Sequence, residues 1–78
     1  MPTILRDGPY RCFFYSGDGH EPPHVHVERD DAVAKFWLHP VRLASGGGVS
    51  QRELGRMRTL VESRRATFTE AWHDYFSR

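Results

Sequence analysis

The chain has one cysteine, Cys12, among 78 residues. An intrachain disulfide is therefore impossible, and a structural zinc site loses its usual thiolate ligands. A lone cysteine fits a reducing compartment. Cys12 lies between Arg11 and Phe13 in a segment that reads as a strand, where a buried, inert thiol is expected. Lysine is nearly absent too. Ten of the eleven cationic residues are arginine and only Lys35 is lysine. The formal charge is +1 with histidine neutral, so bulk electrostatics give no case for nucleic-acid binding. No apolar run approaches the ~20 residues of a membrane span. Met1–Asp7 carries no basic stretch followed by an apolar one, so no signal peptide is expected and the location reads as cytoplasmic. The Gly46-Gly47-Gly48 run lacks the Lys-Ser/Thr partner of a phosphate-binding loop and reads as a connector.

What remains fits one domain over residues 1–78 with a small core. Domains of this size often gain stability from a partner or from self-association, which makes a homodimer a candidate state.

Residues 3–6 form a strand candidate, Asp7-Gly8-Pro9 a turn, and the aromatic-rich residues 10–15 a second strand, together a hairpin. Residues 16–23 are a polar loop stiffened by Pro22 and Pro23. Alternation returns in strands at 24–29 and 33–38, turned at Asp30-Asp31. Residues 41–44 fit either a short strand or one helical turn. Ser50 followed by Glu53 matches a helix capping box. Leu54, Met57, Leu60 and Val61 then share a helical face, and Phe68, Ala71, Trp72, Tyr75 and Phe76 share another. Two helices are expected, at 50–63 and 66–76, with a break near 63–65. Strands first and helices afterwards predict an α+β fold: a small antiparallel sheet of about four strands in two hairpins, with both helices on one face.

Period-two geometry then sorts the strand residues. Val25 and Val27 face one way, with Ala34, Phe36 and Leu38, and must meet the helices. His24, His26 and Glu28 face the other way, with Lys35, Trp37 and His39. The two imidazoles are roughly 7 Å apart along the strand at ~3.3 Å per residue, close enough to reach one ligand.

Three readings of this group stay open. It is an ordinary solvated sheet face. Or His24 and His26 are an acid–base pair, with Lys35 or an arginine stabilising charge on a phosphate, which is the chemistry of metal-free RNA cleavage. Or the His-x-His pair holds Zn²⁺ with help from His20, Glu21, Glu28 or His39. Arg52 and Arg56, four apart on the first helix and opposite its apolar stripe, are candidate phosphate contacts.

Pro9-Tyr10-Arg11, Phe13-Phe14-Tyr15, Glu21-Pro22-Pro23-His24-Val25-His26-Val27 and Ala34-Lys35-Phe36-Trp37-Leu38 resemble the family known as domain of unknown function 4160. The resemblance runs through Ala71-Trp72 and Tyr75-Phe76. Genes of that family commonly neighbour those of another short family, an arrangement suggestive of a toxin–antitoxin module. The resemblance thus implies a cognate small protein partner, makes an RNA-directed toxin activity the natural expectation, and puts weight on His24 and His26, with Glu21, Lys35 and Trp37 nearby. This chain departs from the pattern at Gly17-Asp18-Gly19-His20, and at His39, where family members usually carry an acid.

The leading expectation is a toxin-like, metal-independent endoribonuclease that needs no cofactor. His24, His26 and Lys35 would act on the phosphate, with Trp37, Glu28, Arg52 and Arg56 binding substrate. The alternatives are a non-catalytic protein-binding or regulatory partner, and a histidine-rich metal-binding domain.

Overall fold

Period-two alternation in the first half of the chain is realised as five strands. A computed structural model describes residues 3–77. The strands are β1 (Thr3–Asp7), β2 (Tyr10–Phe13), β3 (His24–Arg29), β4 (Ala32–Leu38) and β5 (Val41–Ser45). They form one sheet in the order β1-β2-β3-β4-β5, every neighbouring pair antiparallel. The fold class is the expected α+β, with one strand more than the two hairpins supply. The undecided segment after His39-Pro40 turns back and pairs Val41 with Leu38 and Leu43 with Phe36. As an edge strand it is only partly covered, so its apolar alternation is weak. β2 ends at Phe13, and Phe14 and Tyr15 leave the ladder. Between β2 and β3 the polar loop folds into a short 3-10 helix, Ser16–His20.

Helices α1 (Gln51–Ser63) and α2 (Arg65–Phe76) follow. Ser50 caps α1, its hydroxyl accepting the Glu53 N–H at 3.1 Å. The expected reciprocal half of the capping box is absent. The Glu53 carboxylate instead accepts the Tyr10 hydroxyl and an Arg29 N–H, tying the start of α1 to β2 and to the β3–β4 hairpin. One residue separates the helices. Arg64 has φ −115° and ψ 18°, and its N–H still reaches the Leu60 and Val61 carbonyls.

The core lies between the sheet and the helices. Cys12, Phe14, Val25, Val27, Ala34, Phe36 and Leu38 meet Met57, Leu60, Val61, Phe68 and Trp72, all buried. These are the faces that the two periodicities select. Each fully buried Phe or Leu contributes about 1.5–3 kcal/mol of transfer free energy. The other sheet face carries Arg11, Phe13, His26, Glu28, Lys35, Trp37 and Arg42. It is not a uniformly wet surface. Phe13 is only 1% exposed, covered by the Arg11 guanidinium 4.3 Å from its centroid, the stacked His26 ring and the edge of Tyr15.

Candidate functional site: a buried imidazole–carboxylate cluster

His24 opens β3, at the end of the sheet where the chain emerges from Pro22-Pro23. Its ring meets Trp37 on β4 at 5.6 Å, His26 at 5.2 Å and Trp72 of α2 at 4.9 Å, centroid to centroid. The 3-10 helix closes over this corner. Gly19 allows it: a Cβ there would stand 2.6 Å from the Phe76 ring, so only glycine lets this turn pack on the last turn of α2. The result is a fully buried His24, 0% exposed. The reading of this group as an ordinary solvated sheet face is corrected here for His24. The two imidazoles leave the sheet on the same face, but that face is roofed at this end.

The roof also delivers a carboxylate. Asp18 Oδ2 lies 3.0 Å from His24 Nε2 and 3.1 Å from His26 Nε2, and it accepts the Tyr15 backbone N–H at 2.9 Å. Burial works against ionisation of Asp18. The Tyr15 N–H outweighs it together with the two imidazoles, so the carboxyl is held below its usual value. His26 is also shifted down. Burial is the largest cause, and the nearby Asp18 only partly offsets it. Its side chain is 12% exposed and that of Asp18 is 17% exposed.

The two histidines differ in how their protons are placed. His24 Nδ1 is 2.9 Å from the Pro22 carbonyl oxygen. A carbonyl only accepts, so the hydrogen of the neutral ring resides on Nδ1. In that neutral form Nε2 presents a bare lone pair, whereas a charged ring holds a proton there facing Asp18. Nε2 is buried without a hydrogen-bond partner. Asp18 Oδ2 is close enough, but lies off the direction in which an Nε2 hydrogen would point. His26 differs, since its Nε2–H donates to the same carboxylate oxygen. A buried lone pair facing an ionised carboxylate is costly unless a positive charge, either a proton on Nε2 or a metal ion, lies between them.

Around this centre, Lys35 Nζ donates to Glu21 Oε1 at 2.6 Å and sits 4.6 Å from the Trp37 ring centroid. The Lys35 bond holds the Glu21 carboxyl below its ordinary value. Glu21 Oε1 is 3.7 Å from His24 Nδ1, an outer neighbour of the cluster. The structure therefore brings His24, His26, Lys35, Trp37 and Glu21 together, as expected, but Lys35 is engaged by a carboxylate. Glu28 lies further along β3 and pairs with Arg11 at 2.8 Å. Arg52 and Arg56 are exposed on α1, in the layer on the other side of the sheet from Lys35 and Trp37, so they do not join the site. His20 is exposed and outside the converging donors. His39 Nε2 bonds to Thr69 on α2.

Asp18 is the residue that sequence reasoning missed. Among the described residues, Asp18, His24 and His26 form the one group of three whose donor atoms all lie within 4.8 Å of one another. The available signal was an acid in a Gly-Asp-Gly turn six residues before His24. The sequence profile of one family, described as a domain of unknown function (DUF4160), matches residues 10–73. No curated protein and no solved structure matches the chain.

Proposed function

We propose that this chain, which belongs to the DUF4160 family by its match over residues 10–73, is a divalent-metal-binding domain. Asp18, His24 and His26 are its ligands. The observation that carries this reading is the buried, unpartnered His24 Nε2 lone pair beside an ionised Asp18.

Donor chemistry and spacing agree with the reading. Two imidazole nitrogens and one carboxylate oxygen suit Zn²⁺, and also Fe²⁺, Co²⁺ or Ni²⁺. Ligand bonds of about 2.0–2.2 Å put neighbouring donors about 3.3–3.6 Å apart in a tetrahedron and about 2.8–3.1 Å apart at right angles. The observed 3.0 and 3.1 Å fall in the right-angle range, and a tetrahedral ion needs the donors to part by a few tenths of an ångström. Asp18 Oδ2 lies off the axis of His24 Nε2, which leaves that lone pair free to take an ion, whereas His26 Nε2 is aligned on Asp18 and must turn toward the ion. The Nδ1–H bond to the Pro22 carbonyl is the outer contact that usually fixes a ligating imidazole. Burial shifts His26 toward its neutral form. The ring frees Nε2 by moving its hydrogen to Nδ1.

Three protein donors leave at least one coordination position open. His24 closes one side, so access runs past His26 and Asp18. The acid–base ribonuclease reading needs both imidazoles at a phosphate, and a fully buried His24 does not offer that. The metal reading uses the burial instead.

The test is a Co²⁺ and Zn²⁺ titration of protein purified without a histidine tag, read by the cobalt absorption spectrum and elemental analysis. One equivalent is expected. It is lost in Asp18→Asn, His24→Gln and His26→Gln, and retained in His39→Gln and His73→Gln. Equal binding by the Asp18 and His24 variants would overturn the proposal.

A further inference from the structure

On the outer sheet face, beyond Trp37, lies a cleft of about 240 Å³ lined by Pro22, Pro23, Trp37, His39, Pro40 and Arg42. We infer that it binds a nucleotide unit, with the base against the Trp37 indole between the proline rings and the phosphate on the Arg42 guanidinium.

Several arginines have no carboxylate partner among the described residues, and Arg42 is the one that lines this cleft. Arg11, Arg29, Lys35 and Arg64 all have carboxylate partners. Arg42 is exposed and has none among the described residues. Its register places it directly opposite Trp37 on the neighbouring strand, so a flat aromatic surface and a planar cation stand side by side. Lys35 lies over the indole but does not itself line the cleft. Three of the six lining residues are prolines, which lack an N–H and have fixed φ. They make stiff walls, and a preformed slot lowers the ordering cost of binding.

An indole takes any base by its π-face, and a guanidinium fork matches phosphate oxygens. The Pro22–Pro23 segment is held by the Leu38 N–H bond to the Pro23 carbonyl. The base wall is therefore anchored to the same strand as the stacking surface. The cleft shares a wall with the cluster, since Trp37 packs edge-on against His24 and the Pro22 carbonyl accepts its Nδ1–H, but Arg42 lies outside the cluster and neither Asp18 nor His26 lines the cleft.

The probes are AMP, adenosine, inorganic phosphate and N-acetyltryptophan, each titrated into ¹⁵N-labelled protein. The readouts are the Trp37 indole N–H and the amides of residues 37–42. AMP is expected to shift these signals saturably and to bind at least about tenfold tighter than adenosine. In Arg42→Ala, an exposed edge-strand change, that preference should fall to near one while adenosine binding persists. Trp37→Leu should lose both. A short single-stranded oligonucleotide separates the sources: tighter binding than AMP assigns the cleft to a nucleic-acid chain, weaker binding to a free nucleotide. No shift with AMP up to about 10 mM, a concentration at which even a millimolar site is filled, would overturn the inference. So would equal affinity for N-acetyltryptophan, or an AMP preference that survives Arg42→Ala. The metal variants Asp18→Asn and His26→Gln should leave AMP binding intact, so failure of the metal reading and failure of this one are separately visible.

Discussion

Adding zinc to metal-free protein should raise its melting temperature by an amount that the binding geometry sets. An ion that binds the folded state alone adds RT ln(1 + [L]/Kd), about 2.7 kcal/mol at a free concentration of 100 Kd. In a domain of this length each kcal/mol moves the midpoint by about 4–8 °C, so the expected rise is about 11–22 °C. Any binding by the unfolded chain reduces it. Outer contacts of metal ligands are worth about 10–100-fold in affinity. A direct donor such as Asp18 is worth at least the upper figure. In Asp18→Ala the same zinc concentration then approximates Kd, the added stability falls to about 0.4 kcal/mol, and the rise shrinks to about 2–3 °C. Differential scanning fluorimetry of each protein with and without zinc reads the difference, so any effect of the substitution on the apo fold cancels. His20→Gln should keep the full rise, since His20 is exposed and outside the cluster. A rise in Asp18→Ala equal to that of the parent would refute the assignment of Asp18 as a ligand.

In metal-free protein, the folded state holds the His26 value down and the Asp18 value down. The unfolded chain therefore binds more protons on both, and stability falls as pH drops, first through the ordinary histidine range and then through the carboxylate range. Denaturant midpoints from pH 7 to 5 should decline, and His26→Gln should flatten that segment; a midpoint that rises on acidification would contradict the shifts. Cys12 is 0% exposed and burial pushes its thiol up to about 12. At pH 8 its thiolate fraction is about a thousandfold below that of an open cysteine, so Ellman's reagent should react only after denaturation. Prompt labelling of native protein would place Cys12 outside the core. Glu53→Ala removes the acceptor of both Tyr10 and Arg29. It should cost about 2 kcal/mol, or about 8–16 °C, in thermal unfolding. Glu53→Gln, which keeps an acceptor for the Tyr10 hydroxyl, should lose less. A Glu53→Ala midpoint within a degree of the parent would show the network to be superficial.

The helices were legible because long apolar stripes at 3.6 spacing have no competing reading: Leu54–Met57–Leu60–Val61 and Phe68–Ala71–Trp72–Tyr75–Phe76 each select one face. The faces of β3 and β4 were legible for the same kind of reason, with Val25 and Val27 opposite His24 and His26. Face was not exposure, however. Which end of a sheet is roofed depends on Gly19 meeting Phe76, residues 57 positions apart, and no local period carries that. The 3-10 turn holding Asp18 has neither a strand nor a helix period, so an acid essential to the site looked like loop polarity. β5 was ambiguous because an edge strand needs only half of the apolar pattern. The capping box was half right: Ser50 does its part, while Glu53 prefers a hydroxyl and a guanidinium that only tertiary packing supplies.

The most direct measurement is anomalous diffraction at the zinc edge from crystals grown with one equivalent of zinc. The account predicts a single strong peak about 2.0–2.2 Å from Asp18 Oδ2, His24 Nε2 and His26 Nε2. A peak only at the exposed His20, His39 or His73, with the cluster unchanged, would contradict it.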